Sequence, residues 1–183
     1  MSEWFETTEG LWDKLWSTLG RGVADAKHPA RTPTFATTSS DGWPQARTVV
    51  LRHADQASGT VALHTDLYSD KVKSLHASPR AALHVWVPKQ NLQIRLQADV
   101  VIQSGDTVRA LWDKIPDHAQ QSYGVTPAPG VPIEDALDYV KDPDPATFAV
   151  LICALTYVDL VFLGTDHRRA AYSRAHDWQG QWL

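Results

Sequence analysis

The sequence predicts a mainly β protein of the α+β class, an antiparallel barrel or sandwich with helices at its edges. Two-residue alternation of apolar and polar side chains recurs along the chain, and turn-forming pairs separate the alternating runs. Helical spacing is confined to the N-terminus and to short stretches between strands.

Residues 8–27 carry Leu11, Trp12, Leu15, Trp16, Leu19 and Val23 at spacings of three and four, which predicts an amphipathic helix lying on the sheet. The two tryptophans belong to that apolar face and are read as core. Gly20 and Gly22 weaken the last turns, and Pro29 and Pro33 mark the loop beyond. Residues 34–39 form a first strand, and Asp41-Gly42 suits a tight hairpin into a second strand, residues 45–53. In that strand Arg47, Val49 and Leu51 face one way and Thr48, Val50 and Arg52 the other. A turn at 55–59 leads to a strand at 60–65, after which Ser69, Asp70 and Lys71 open a short helix that Pro79 closes.

Residues 80–87 and 92–102 alternate most clearly, the latter with Gln93, Arg95, Gln97 and Asp99 on a polar face. A second amphipathic helix is expected at 104–115, a surface loop at 124–133 where Pro and Gly are dense, and one more short helix at 134–141. Residues 147–163 read as a long strand that is apolar on both faces, with Cys153 a small buried residue in it. Residues 168–173 read as its antiparallel partner.

A chain of 183 residues has the size of one domain, 1–183. It can bury roughly 70% of its unfolded surface, so its core needs no disulfide or metal. A net charge of −4 without any long basic run argues against nucleic acid and anionic membranes as partners, leaving a small molecule. One cysteine cannot form an internal disulfide, which fits a reducing compartment. With neither a leader pattern nor a membrane-length apolar run, the expectation is cytoplasmic. Scattered histidines without an H-x-x-x-H spacing offer no metal site.

The chemistry concentrates at residues 44–71. A helix start exposes unpaired N–H groups and the positive end of the backbone dipole, and here it carries Ser69 and Lys71. A phosphate there would be held by backbone, hydroxyl and ammonium together.

At these residues the chain resembles the pyridoxamine 5'-phosphate oxidase-like family of FMN-binding split barrels. Members pair an R-[MT]-V-x-L-[KR] strand with an F-x-T-[ND]-x-x-S-x-K strand-to-helix turn, and this chain has RTVVLR at 47–52 and LHTDLYSDK at 63–71. Gln93 and Arg95 stand where the family places a Q-x-R strand, and His167 and Arg169 where it ends in an H-x-R element. The resemblance runs from about residue 30 onward.

The resemblance implies an antiparallel split barrel with flanking helices, a homodimer, and FMN at the subunit interface. It implies that Arg47, Ser69 and Lys71 bind the FMN phosphate, and that Thr48, Val49 and Val50 line the ring edge. It further implies that His64 and Thr65 contact the flavin from the next strand, and that Gln93 and Arg169 reach it from the second subunit. Arg52 and His167 are candidate substrate contacts. No dedicated general base stands out, although His64 or His167 could titrate near neutral pH if they face the pocket.

The chain also departs from the family. Asp70 stands where many members have an arginine, and Val161 where they have a tryptophan. Arg52 replaces the oxidases' lysine, and LWDKIPDHAQQ lacks their Tyr, Arg and Ser set. These residues support FMN binding better than vitamin B6 oxidation. The reading is therefore an FMN-dependent oxidoreductase of unknown substrate. The alternatives are a non-catalytic flavin carrier or sensor, and a split barrel holding haem or a deazaflavin.

Overall fold

A computed structural model describes residues 3–183. Helix α1 (Thr8–Ala24) starts where the Thr7 hydroxyl accepts the Gly10 N–H, and it buries Leu11, Leu15, Trp16 and Leu19 against the sheet. It ends three residues short of the expected span. Arg31 then ties it to the sheet by donating to the carbonyls of Val23 and Leu51.

The strands follow as β1 (Thr34–Thr38), β2 (Pro44–Thr48), β3 (Leu51–Asp55) and β4 (Thr60–Asp66). After helix α2 (Asp70–Ala77) come β5 (Arg80–Val87) and β6 (Leu92–Ser104). The single strand expected at 45–53 is thus two. Residues up to Thr48 pair with β1 and residues from Leu51 with β4, so the chain changes partner at Val49 and Val50. The alternation continues through that break, with Val49 and Leu51 both buried, which is why the pattern alone hides it.

Helix α3 (Asp106–Trp112) is shorter than the expected helix, because Trp112 is its last inward-facing residue and a separate turn, α4 (Asp117–Gln120), follows Pro116. The helix expected at 134–141 is absent. Leu137 and Val140 are largely exposed and Ile133 and Tyr139 are also exposed, so a short helix there has no buried apolar stripe to support it. That excursion instead closes with the two-residue strands β7 (Val125–Thr126) and β8 (Val140–Lys141). The chain ends with β9 (Phe148–Phe162), β10 (Arg168–Ser173) and β11 (Gln181–Trp182), the last unanticipated.

The main sheet runs β11-β10-β9-β6-β5-β1-β2, with β4 also on β9 and β3 on β4. Strand β9 organises it. One edge pairs with β6 along nearly its whole length, while the other takes β4 over Phe148–Ala154 and then β10 over Tyr157–Phe162. The sheet therefore forks at β9, giving the antiparallel split barrel with flanking helices.

The fork also explains why β9 is apolar on both faces. Leu151, Cys153 and Leu155 join the main core with α1, whereas Phe148 and Val150 join a second core with Ala62, Val108, Trp112 and Tyr123. Burial pushes the Cys153 thiol up to about 12, so it stays protonated and apolar in character. Trp16 is buried and Trp12 packs on the same core beside Tyr172 and Trp178, as the core reading required.

Candidate functional site

Strand β4 and helix α2 meet in a tight turn, and the polar groups of that corner converge. The Thr65 and Ser69 hydroxyls lie 3.1 Å apart, and Ser69 Oγ donates to the Asp66 carbonyl at 2.8 Å. Lys71 Nζ reaches back from the first turn of α2 to donate to Thr65 Oγ1 at 3.1 Å. Arg47 approaches from β2, close enough that its charge lowers the Lys71 pKa. Its guanidinium is held by Thr37 Oγ1 at 2.8 Å, the Gln45 carbonyl at 3.0 Å and Gln45 Oε1 at 3.1 Å.

Two cations held side by side and partly out of water repel each other. Burial, and then Arg47, pull the Lys71 pKa down, with Asp66 and Asp70 opposing, and burial likewise lowers Arg47. An incoming dianion would relieve both penalties at once. The residues fit a phosphate monoester such as that of FMN: two cations, two hydroxyls and the N-terminus of an eight-residue helix.

Asp70, the departure from the family pattern, lies near enough that its charge acts on both Arg47 and Lys71. Its carboxylate pairs with Lys73 at 2.9 Å on the exposed side of α2, beside Gly130. Part of its negative charge is thereby answered locally.

Thr48 lies exposed at the end of β2, and Val49 and Val50 form the link to β3, with the Val49 N–H donating to the Pro33 carbonyl at 3.0 Å. Beyond that link a second polar group forms. Arg52 has a buried Nε without a hydrogen-bond partner, and its charge acts on both His64 and Tyr123. His64 packs edge-on against Phe148 with ring centroids 5.0 Å apart. Burial, then Arg52, hold its pKa down at about 4, so the expectation that it titrates near neutrality is corrected: the imidazole is neutral at pH 7. Burial pushes the Tyr123 phenol up, against the smaller downward pull of Arg52.

Gln93 and Arg169 lie elsewhere. In register, Trp86 faces Gln93, Gln93 faces Val161 and Val161 faces Arg169, a row across β5, β6, β9 and β10 on one face of the sheet. One step along, Asp159 is buried in the strand and accepts two bonds from Arg169, at 3.1 Å and 2.8 Å, and another from Arg95. Burial pushes its pKa up, but the bonds and charges of Arg169 and Arg95 together outweigh it and hold the pKa below the ordinary aspartate value. Among the described residues no hydrogen bond or ion pair joins this row to the Arg47–Lys71 corner. His167 is exposed just before β10, its carbonyl accepting from Arg168.

Several supporting residues escaped the sequence reading. Asp66 accepts the N–H groups of Tyr68 at 2.8 Å and Gly124 at 3.1 Å, which ties the loop after α4 to the corner of Thr65, Ser69 and Lys71. Tyr123, Thr37 and Gln45 are ordinary residues in sequence. Asp159 carried a signal, an acid in an otherwise apolar strand.

Residues 12–104 match the sequence model of the "Pyridoxamine 5'-phosphate oxidase, FMN-binding domain" family, just over half of the chain. A pyridoxine/pyridoxamine 5'-phosphate oxidase of Microcystis aeruginosa is 36% identical over 87 residues, 48% of this chain and 39% of that one. One of Xanthomonas euvesicatoria is 36% identical over 98 residues, 52% of this chain and 48% of that one. These matches thus span less than half the length of the curated relatives.

Among solved structures, a pyridoxamine 5'-phosphate oxidase-related, FMN-binding protein of Nostoc punctiforme aligns with a TM-score of 0.74 at 24% identity, over 93% of this chain and 94% of that one. PhzG of Burkholderia lata, solved with tetrahydrophenazine-1-carboxylic acid, aligns with a TM-score of 0.73 at 21% identity, over 94% and 90%. At those identities the likeness establishes the shared fold. By the extent of the family match, the chain belongs to the pyridoxamine 5'-phosphate oxidase FMN-binding domain family, and FMN is the cofactor that membership assigns to it.

Proposed function

We propose that the chain acts as an FMN-dependent oxidoreductase on a small molecule, working as a homodimer in which each flavin meets residues of both copies. The observation that carries this is the convergence of Arg47, Thr65, Ser69 and Lys71 at the start of α2. Arg47, Ser69 and Lys71 would hold the phosphate; Thr48 and the Val49–Val50 backbone would lie along the ring, with His64 and Thr65 beside it. When bound, the flavin supplies two-electron redox chemistry, and the protein supplies placement.

Dimerisation is supported by the separation of the two halves of the site. Gln93 and Arg169 sit on a sheet face remote in bonding from the phosphate corner, so a second copy would bring its own Gln93 and Arg169 to the flavin. Arg52 and His167 are the residues proposed to meet substrate, and the unpartnered Arg52 Nε favours an electron-rich group there. The departures at Arg52 and in residues 111–121 argue against pyridoxine phosphate as that substrate.

Purified protein should be yellow, release FMN on denaturation and elute as a dimer. Anaerobic NAD(P)H should bleach it and air should restore it over repeated cycles, whereas pyridoxine phosphate should not. A colourless protein that binds no added FMN overturns the reading. A second reading, a flavin carrier, is favoured by the neutral His64 and the protonated Tyr123, neither of which exchanges a proton near pH 7. Colour without turnover by any reductant would select it.

A further inference from the structure

The Asp159 carboxylate is unusual for its place. Its side chain is 2% exposed, yet it stands in the face of the sheet that carries Gln93, Arg95 and Arg169, whose polar groups turn outward. The two arginines that cover it remain 52% and 44% exposed. A buried carboxylate bonded to two half-exposed guanidiniums leaves a net positive charge at the surface of the cluster. Burying an acid in a strand that could carry leucine costs stability unless every oxygen is answered, and here both are. If the two arginines served only solubility, no such anchor would be needed.

The geometry of the anchor is directional. Arg169 donates through Nε to one carboxylate oxygen and through one terminal nitrogen to the other, a two-point grip that fixes the plane of the guanidinium. The remaining terminal nitrogen is not used in the grip, and the side chain is partly exposed. Arg95 reaches the same carboxylate from β6 on the opposite side and keeps it from following Arg169.

We propose that Asp159 is the positioning residue for the sheet-face half of the flavin site, holding Arg169 in one orientation, braced by Arg95, so that its free edge meets the flavin nucleotide. This rests on the reading above that Arg169 contacts FMN. Asp159 itself touches nothing outside the cluster and acts through Arg169.

The test is a set of FMN titrations of the apoprotein dimer, followed by quenching of flavin fluorescence, on wild type, R169A, R169K, D159N and D159N/R169A. R169A should weaken binding about tenfold, the scale of one charge-assisted partner. D159N should weaken it by a similar factor, and the double variant no more than R169A alone, because both changes remove the same oriented group. R169K keeps the charge but cannot make the two-point grip, so it should behave like R169A in FMN affinity. It remains informative if D159N folds poorly. Wild-type affinity in R169K or D159N, with R169A weakened, overturns the positioning role and leaves the flavin contact standing. Additive losses in the double variant also overturn it. Wild-type affinity in R169A overturns the flavin contact itself, and the inference with it.

Discussion

Lys71 Nζ donates to Thr65 Oγ1 across 3.1 Å, closing the corner between the first turn of α2 and the end of β4. That bond places an ammonium over the helix N-terminus, next to the guanidinium of Arg47, and the charge of the pair is answered only in part by Asp66 and Asp70. An anion at the corner would complete it.

Removing both cations should therefore abolish the phosphate grip. Arg47→Ala with Lys71→Ala is expected to weaken FMN binding by about 3 to 5 kcal/mol, the scale of two charge-assisted partners. A fluorescence titration checks it, and an unchanged dissociation constant would remove the phosphate assignment.

Lys71 also gives the site a pH dependence. Its pKa lies below the ordinary lysine value because of burial and then Arg47, so FMN affinity should fall as pH rises at values below the ordinary lysine range. In Lys71→Arg the charge does not titrate over that range and the profile should be flat. A wild-type profile as flat as the variant's would show that the ammonium does not hold the ligand.

Asp70 should act against the phosphate, but weakly. Asp70→Asn removes a negative charge near the corner and is expected to tighten FMN binding by about 0.5 to 1 kcal/mol, as for a charge near the surface. The lost pair with Lys73 is exposed and should cost little stability. Affinity that falls instead would mean the carboxylate supports the corner.

His64 predicts how stability responds to acid. Its pKa drops from 6.5 in the unfolded chain to about 4 in the fold. Between those values the unfolded chain binds the extra proton, so stability is lost as pH falls through the window, by about 2 kcal/mol after allowing for partial exposure. Urea melts of wild type and His64→Gln across that range should converge toward acid pH, since the variant lacks the titrating group.

Gly124 holds the loop that carries Tyr123. Its φ is +88°, and a Cβ there would lie 2.1 Å from the Asp142 carbonyl oxygen. Gly124→Ala is expected to destabilise by about 2 kcal/mol or more and to loosen the Asp66 bond to the Gly124 N–H, read by urea melts.

Much of this molecule was legible in order along the chain. β5 and β10 have the bounds that alternation predicts, and α2 begins at the cap that Ser69 announces, because each depends on neighbours within a few residues. The corner residues were equally legible: Thr65, Ser69 and Lys71 fall within one strand-to-helix turn, so their approach is local. The helix expected at 134–141 failed for the converse reason, since propensity without a surface to pack on does not hold a short helix.

What periodicity reports is which way a side chain faces, and facing is a property of the local backbone. It does not report which strand lies alongside. The alternation through Val49 and Val50 runs on unbroken while the hydrogen-bonding partner changes from β1 to β4. Asp159 likewise meets Arg95 across 64 residues of sequence, a pairing set by the register of β6 on β9. Local chemistry thus decided the elements and the Thr65–Ser69–Lys71 corner. The forked sheet, the burial of Asp159 and the depressed His64 were decided by tertiary packing, because burial and distant charge exist only once the chain has closed on itself.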